Sequence, residues 1–295
     1  MRAVARMILA LAIVPLLIGE IVFAAPRGHL LIIGGGRRGP EIMNRFVQLA
    51  GGPEKAHILI LPMASRDLDT SGIEMVEEFR SMGVPNAEYL VLNHEQAMNP
   101  VSARKLEGIT GVYFTGGDQS RLTAALKDTP VETALKGLYA NGAVIGGTSA
   151  GAAVMSEIMI TGDERQNKDT VNAFVFVRKD NIITRPGFGF VTRAIIDQHF
   201  VKRKRQNRLI SLVLEHPTLL GVGIDEATAI VVDPDDTFEV VGAATVMVYD
   251  AMHATHIRTD AKGNLSASGM IMHILANGDR FDLASRSLIR EGGQR

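Results

Sequence analysis

The 295-residue sequence contains no cysteine and no tryptophan, and aromatic residues make up only 5% of it. Without cysteine there can be no disulfide, thiolate nucleophile, cysteine-based metal site or lipid attached through cysteine. Neither sign of charge dominates, since 31 basic and 32 acidic side chains leave a formal net charge of −1. The chain therefore has no overall field that would gather nucleic acid or an anionic membrane surface, and recognition by charge must be local.

The remaining composition is that of an ordinary globular protein. Hydrophobic residues make up 46% of the chain and charged residues 21%, which is enough apolar surface to build a core. No repeat, low-complexity linker or break in composition divides the sequence. Residues 25–295 are therefore expected to form a single α/β domain.

The first residues have the layout of a secretory signal peptide. Arg2 and Arg6 precede an apolar run from Met7 to Ile18, and small residues at the cleavage-determining positions favour cleavage after Ala24. A membrane anchor is the alternative, but an acidic residue ends the run short of the roughly 20 apolar residues that a spanning helix needs. The sequence predicts a secreted or periplasmic protein whose signal peptide is residues 1–24 and which has no stable membrane association after cleavage.

Short apolar runs alternate with helix-like stretches along the chain, as in strands of a parallel sheet that helices cover on both faces. The runs are His29–Ile33, His57–Leu61, Ala87–Leu92, Gly111–Thr115, Ala143–Gly146 and Ala194–His199. Later runs lie close together, namely Gly221–Val232, Phe238–Val241 and Thr245–Tyr249. We therefore predict a mostly parallel, doubly wound sheet with a C-terminal β meander or antiparallel edge. Residues 162–185, which are charged and without a clear period, are predicted to be a surface excursion.

The segment Gly34-Gly35-Gly36-Arg37-Arg38-Gly39 fits the G-x-G-x-x-G pattern of a dinucleotide site. The second half of that fingerprint is missing, because the next strand runs into Leu61-Pro62-Met63 and does not end in an acidic residue. A glycine turn that leads into a helix with Pro40 at its first position explains the same residues. Nucleotide binding is kept as a rival hypothesis.

The segment Gly147-Thr148-Ser149-Ala150-Gly151 follows a predicted strand and opens a helix, which places Ser149 on a sharp strand-to-helix turn. Such an elbow raises the serine Oγ above the strand end, and the helix N-terminus offers N–H groups to a developing oxyanion. A glycine-rich turn with a capping serine is the alternative. Thr115-Gly116-Gly117-Asp118-Gln119 ends the preceding strand, and its N–H groups should open at the same edge of the sheet. Together the two segments predict a serine nucleophile with an oxyanion hole.

A serine nucleophile needs a base, and His199 is the histidine that ends a predicted strand at the same edge. An acid that orients the base should come from another strand end. Asp225 and Glu226 lie within an apolar run, where a carboxylate without a partner is costly to bury. Either can be the orienting acid, and Asp163 and Glu164 are weaker candidates.

Five cations occur among the seven residues from Lys202 to Arg208. Such charge runs are usually solvated faces. Beside the predicted base, however, guanidinium groups would hold carboxylates in bidentate geometry. This position favours a substrate that carries carboxylates.

These segments together resemble the cyanophycinases of the serine peptidase family that also contains aspartyl dipeptidase. The similarity extends from Gly34 to about Tyr249. The elbow and the glycine turn are shared with the wider family. The segment specific to cyanophycinases is Asp197-Gln198-His199-Phe200 with three spaced arginines after it.

The resemblance implies hydrolysis of cyanophycin, a polyaspartate with arginine on each β-carboxyl, to β-aspartyl-arginine dipeptides. It also implies a homodimer and a fold like the class I glutamine amidotransferase domain. Ser149 would be the nucleophile of an acyl-enzyme mechanism, His199 the general base and then acid, and Glu226 the residue that orients it. The N–H groups of Gly117 and Ala150 would form the oxyanion hole. The implied substrate contacts are Gln119, Asp197, Gln198, Arg203, Arg205 and Arg208.

Several alternatives are weighed against this interpretation. Glutamine amidotransfer needs a cysteine, and an α/β-hydrolase would have its acid before its histidine, whereas the order here is Ser149, His199, Glu226. No His-Glu-x-x-His or similar ligand spacing occurs, so neither a metal nor a cofactor is expected. Two rivals remain, a secreted aspartyl or isoaspartyl dipeptidase with the same triad and a non-catalytic binder of nucleotide or polyanion.

Overall fold

The computed structural model describes residues 26–166 and 173–290. The predicted signal peptide, residues 1–24, lies outside the described residues. In the described part of the chain, helices α1–α8 span Pro40–Leu49, Leu68–Ser81, His94–Met98, Pro100–Arg104, Gln119–Leu126, Pro130–Ala140, Ala150–Ala153 and Gln206–Glu215. Strands β1–β9 span Leu30–Ile33, His57–Leu61, Asn86–Tyr89, Gly111–Phe114, Val144–Thr148, Ile158–Glu164, Ile182–Pro186, Ala194–Gln198 and Leu220–Ile224. Strands β10–β17 span Thr228–Val232, Thr237–Gly242, Val246–Asp250, Thr255–Thr259, Leu265–Ser268, Ile271–Leu275, Arg280–Asp282 and Ser287–Ile289.

The main sheet has nine strands in the order β17-β16-β11-β10-β1-β5-β4-β2-β3. Its five strands from β1 to β3 in that order are parallel. The strands β10, β11, β16 and β17 pair antiparallel with their neighbours. The prediction of a parallel sheet is confirmed for the core, and the predicted antiparallel edge is also present. The sheet as a whole is mixed.

Helices cover both faces of the parallel core, as the near-continuous apolar strands predict. In β1, Leu31 and Ile33 belong to the hydrophobic cluster that contains buried residues of α1 and α2. Leu30 and Ile32 point the other way, into the cluster that contains residues of α5, α6 and α7. The period of two in a strand explains this alternation, and a strand buried on both faces must be apolar at every position.

A second sheet has the strand order β15-β12-β9-β8, with β8 and β9 parallel. The interpretation of Gly221–Val232 as one run is wrong, because the chain turns at residues 225–227 and passes from β9 in this sheet to β10 in the main sheet. Ala227 adopts a left-handed φ of 55° at the turn. Both strands are apolar because Val222 of β9 and Ile230 of β10 enter the same hydrophobic cluster. Composition alone therefore does not reveal the break.

At the two ends of the predicted excursion, residues 162–185, β6 and β7 pair antiparallel. The carboxylate of Glu164 accepts hydrogen bonds from Phe174 N at 2.9 Å and from Asn181 Nδ2 at 2.8 Å. These contacts hold the base of the excursion. Among the described residues, no helix is both long enough and apolar enough to cross a membrane.

Candidate active site

Ser149 lies between the end of β5 and the start of α7, on the turn that the sequence predicts. Its backbone has φ 55° and ψ −107°, which is a strained conformation for a residue with a side chain. The same strain is expected of a nucleophile at a strand-to-helix elbow, where the turn lifts the side chain out of the sheet. The Ser149 Oγ lies 2.8 Å from Nε2 of His199.

His199 directly follows β8 and bridges the serine to a carboxylate. Its Nδ1 lies 2.6 Å from Oε1 of Glu226, on the turn between β9 and β10. The His199 side chain is 8% exposed and that of Glu226 is 30% exposed. The hydrogen bond at Nδ1 holds the ring with Nε2 directed at the serine. Nε2 can therefore accept the proton of Ser149 Oγ.

The other carboxylates that the sequence offers bind elsewhere. Asp225 accepts a hydrogen bond from Lys202 N at 2.9 Å. Glu164 holds the base of the excursion, and Asp163 is exposed. Of the acids considered from the sequence, the structure places Glu226 against His199.

Burial lowers the pKa of His199, and the nearby cations Arg203 and Arg205 lower it further, while the hydrogen bond with Glu226 opposes them. The pKa of Glu226 is also lowered, chiefly because its carboxylate shares a hydrogen bond with His199. At neutral pH the imidazole is therefore neutral and the carboxylate ionised. These are the protonation states that a general base and its orienting acid require.

The two segments predicted to supply an oxyanion hole both lie next to Ser149. A Cβ built on Gly116 would be 3.6 Å from Ser149 Cβ. Ala150 is the first residue of α7, where a backbone N–H has no partner within the helix. The loop that carries Gly117 is held by a hydrogen bond from Asp118 N to Ala64 O at 2.9 Å. That Gly117 and Ala150 donate to an oxyanion stays a prediction.

Comparison with known proteins agrees with this geometry. The sequence profile of peptidase family S51 matches residues 30–240, which is more than half of the chain. The chain belongs to peptidase family S51. A cyanophycinase of Trichormus variabilis is 37% identical over 276 residues, which cover 90% of this chain and 89% of that protein. A cyanophycinase of Geminocystis herdmanii is 36% identical over 267 residues, covering 87% and 94% of the two chains.

The S51 peptidase is thus a serine-type peptidase. Among solved structures, a peptidase from an acI-B1 actinobacterium superposes with a TM-score of 0.56 at 22% identity. The superposition covers 84% of this chain and 98% of that one, and it shows a shared fold.

In the S51 peptidase the basic segment is an exposed turn followed by α8, which begins at Gln206. Arg208, predicted from the resemblance to contact substrate, is buried instead and forms a two-pronged ion pair with Asp197. Its Nε lies 2.7 Å from Asp197 Oδ2, and its Nη2 contacts Oδ1. The two side chains are 1% and 0% exposed. Neither presents surface to a substrate, so the structure gives both an internal role.

Arg205 lies at the edge of this pair and is 11% exposed. Its Nη1 donates to the backbone oxygen of Gln198 at 2.7 Å and to Gln198 Oε1 at 2.6 Å. Burial lowers the pKa of Arg205, and the neighbouring cations Arg208 and Arg203 lower it further, against Asp197. The guanidinium groups of Arg205 and Arg208 thus share one buried carboxylate, and Arg203 adds a third positive charge nearby. An anion bound here would relieve their repulsion.

Gln119 is buried, and its Nε2 donates to the backbone oxygens of Ile160 at 2.7 Å and of Thr161 at 2.6 Å. Both bonds join α5 to β6. Because both N–H donors are used, only the side-chain oxygen is left for a ligand. The predicted substrate contact of Gln119 stays a prediction.

The glycine run that suggested a dinucleotide site lies under the catalytic side chains. A Cβ built on Gly35 would be 2.5 Å from His199 Nε2, and one built on Gly36 would be 2.9 Å from Glu226 Cβ. The space above these two glycines is thus taken up by the His199 ring and the Glu226 side chain. Pro40 is the first residue of α1, as the alternative interpretation predicted. The sequence alone did not predict that the glycine run packs against the catalytic side chains. Three consecutive glycines at a strand end are nevertheless a signal that other groups approach the backbone closely.

The pH dependence of Ser149 reactivity follows from the lowered pKa of His199. We expect the rate of labelling by a fluorophosphonate to reach its plateau by neutral pH and to fall as His199 becomes protonated, with a midpoint below about 6.5. Measuring the labelling rate between pH 4 and 9 tests this, with roughly one-unit steps near the midpoint. A midpoint above the ordinary histidine value would show that Glu226 outweighs burial.

Proposed function

We propose that this S51 peptidase hydrolyses cyanophycin to β-aspartyl-arginine dipeptides through an acyl-enzyme on Ser149. The observation on which this proposal chiefly rests is that Arg203 and Arg205 lie close to His199, which is hydrogen-bonded to Ser149. Such a cluster suits a substrate with a carboxylate at each unit. The names of the curated relatives support the same substrate.

In the proposed reaction, Ser149 Oγ attacks the scissile carbonyl while His199 Nε2 accepts its proton. The Glu226 carboxylate stabilises the imidazolium that forms. The carbonyl oxygen takes up the negative charge and accepts hydrogen bonds from the N–H groups of Gly117 and Ala150. His199 then gives its proton to the leaving amine, and a water activated by the same nitrogen hydrolyses the acyl-enzyme.

Recognition of the substrate divides between its two charges. Arg205 and the exposed Arg203 would hold a carboxylate, with Gln198 orienting Arg205. The guanidinium of the substrate needs an acid. Asp197 is already paired with Arg208, so we assign that contact to a different carboxylate, and Asp197 to positioning the arginines.

The deciding experiment is to incubate the protein with purified cyanophycin and, separately, with α- and β-aspartyl dipeptides. We expect the polymer to dissolve and mass spectrometry to detect β-aspartyl-arginine, with no product from a Ser149→Ala protein. Hydrolysis of the dipeptides with intact polymer would favour the rival aspartyl or isoaspartyl dipeptidase. Binding of polymer without turnover would favour the non-catalytic rival.

A second prediction separates a substrate clamp from a solvated charged face. Arg205→Ala should lower kcat/KM for cyanophycin by at least about tenfold, since a charge-assisted hydrogen bond contributes roughly 1.5–3 kcal/mol. Arg205→Lys should not restore it, because an ammonium lacks the planar fork. The exposed Lys204 is the matched control, and Lys204→Ala should be near wild type. If Arg205→Ala and Lys204→Ala lowered kcat/KM equally, and both losses became smaller at high salt, Arg205 would not be a specific substrate contact.

We also propose export by the segment at residues 1–24, assembly as a homodimer, and a fold of the class I glutamine amidotransferase type. The layout of charges and apolar residues supports export, and the family resemblance supports the other two. N-terminal sequencing of the protein recovered outside the cytoplasm should begin at Ala25. Light scattering of the purified protein should give twice the mass of one chain.

A further inference from the structure

Successive carbonyl groups at the end of β1 accept hydrogen bonds from the backbone of two catalytic residues. Ser149 N donates to the oxygen of Ile33 at 3.0 Å, and His199 N donates to the oxygen of Gly34 at 2.7 Å. Ser149 and His199 lie 50 residues apart in the chain. One short segment therefore holds both backbones.

The next carbonyl in the same segment accepts a hydrogen bond from the residue that follows the third catalytic residue. Ala227 N donates to the oxygen of Gly35 at 2.9 Å, and Ala227 directly follows Glu226. The three donors share an unusual backbone, with left-handed φ values of 55° at Ser149, 47° at His199 and 55° at Ala227. Such conformations cost free energy and persist where surrounding contacts impose them.

The same segment also provides the surface on which the catalytic side chains rest. A Cβ on Gly35 would be 2.5 Å from His199 Nε2 and 2.9 Å from Nδ1. A Cβ on Gly36 would be 2.9 Å from Glu226 Cβ and 3.0 Å from Oε2. The imidazole therefore rests on the bare Cα of Gly35, and the carboxylate rests beside Gly36. A methyl group at either position would displace the side chain above it.

We propose that residues 33–36 are a positioning segment for catalysis, in which three consecutive carbonyls set the backbones of the nucleophile, the base and the residue after the acid. Because Gly35 and Gly36 have no side chain, the His199 ring and the Glu226 carboxylate can lie against them within hydrogen-bonding distance of each other. This inference rests on the proposed catalytic roles of Ser149, His199 and Glu226. It does not depend on cyanophycin as the substrate. It gives the G-x-G-x-x-G match a function other than nucleotide binding.

Gly35→Ala provides the first test, with Gly142→Ala as a matched control. Gly35 has φ +107° and Gly142 has φ +108°, but a Cβ on Gly142 would meet nothing within 4 Å. Both variants therefore place an alanine at nearly the same positive φ, and only Gly35→Ala brings a Cβ against His199. We expect fluorophosphonate labelling of Ser149 to slow by about 100-fold in Gly35→Ala, as for a misplaced catalytic group, and to stay near wild type in Gly142→Ala. Equal rates in the two folded variants would overturn the proposal.

Gly36→Ala gives an independent test that does not require Gly35→Ala to fold. Its control is Gly189→Ala, because Gly36 has φ +68° and Gly189 has φ +71° with nothing within 4 Å of its Cβ. If Gly36 acts through Glu226, its replacement should slow labelling by at least about tenfold in the wild type but by less than about threefold in a Glu226→Gln background. Equal factors in the two backgrounds would refute the inference.

The pH profile supplies a readout that a purely structural role would not change. The hydrogen bond with Glu226 raises the pKa of His199 against burial. Gly36→Ala should weaken that bond, so the acid limb of the labelling profile should move to lower pH while the plateau rate falls. If Gly36→Ala lowered the plateau labelling rate but left the midpoint of the acid limb unchanged, the segment would have only a structural role and the proposal would be wrong. Because the probe is not a cyanophycin analogue, failure of the polymer assay leaves this test intact.

Discussion

Replacing Ser149 with alanine is expected to lower kcat by about 10⁶-fold, because catalysis by a serine triad is lost almost completely with the nucleophile. His199→Ala should be nearly as inactive, since Ser149 Oγ and His199 Nε2 are 2.8 Å apart and act as one unit. Single-turnover assays on cyanophycin, with an aspartyl peptide ester as a second substrate, measure both variants.

The double variant gives the control for this prediction. Ser149→Ala with His199→Ala should be no less active than either single variant, because losses within a triad do not add. Circular dichroism and thermal unfolding should match wild type for Ser149→Ala. A Ser149→Ala protein that retains substantial turnover would remove the serine mechanism and reassign the elbow as a structural turn.

The second large effect is expected on stability, at the buried pair of Asp197 and Arg208. Removing one partner of such a pair leaves an uncompensated buried charge, so Arg208→Ala should lower the free energy of unfolding by about 3–5 kcal/mol. Asp197→Ala should do the same, since its carboxylate also faces Arg205 at 3.9 Å. Urea denaturation followed by circular dichroism measures both changes.

Two further variants decide whether this loss belongs to the ion pair. The joint replacement Asp197→Leu with Arg208→Met should recover much of the stability, because both charges of the pair are removed together and Arg205 keeps its hydrogen bonds to Gln198. Lys204→Ala, in the exposed part of the same segment, should change stability by less than about 0.5 kcal/mol. If Arg208→Ala kept wild-type stability and lost only kcat/KM, Arg208 would be a substrate contact, as the family resemblance implies.

Several features were readable from sequence because each depends on neighbouring residues. The elbow at residues 147–151 joins a strand to a helix within five positions, so small residues and a serine there specify its geometry locally. The parallel strands were readable because burial on both faces makes a strand apolar at every position. His199 was found because it ends an apolar strand, but the expected position of that strand was wrong: β8 lies in the second sheet and not in the parallel core with β5.

Other features could not be assigned from local patterns. Asp225 and Glu226 are neighbours in an apolar run, and the sequence left both open as the orienting acid. The turn between two sheets directs Glu226 to His199 and Asp225 to the backbone of Lys202. The arginines had the same ambiguity: Arg205 keeps some exposure while Arg208 is buried against Asp197. Charged residues that are close in sequence thus differ in burial and in hydrogen-bond partners, and these differences arise from the tertiary structure.

The residue types of the site and most of the strands that carry them can be identified from contiguous segments, since strand periodicity, elbows and glycine turns are local properties of the chain. Which of two adjacent carboxylates orients the histidine, which arginine is sealed from solvent and what the glycine run contacts were decided by the tertiary structure. The reason is that these contacts join distant residues: Gly35 meets His199 and Ala227 only after β1, β8 and β10 have come together. Their free energy depends on burial and geometry that no single segment contains.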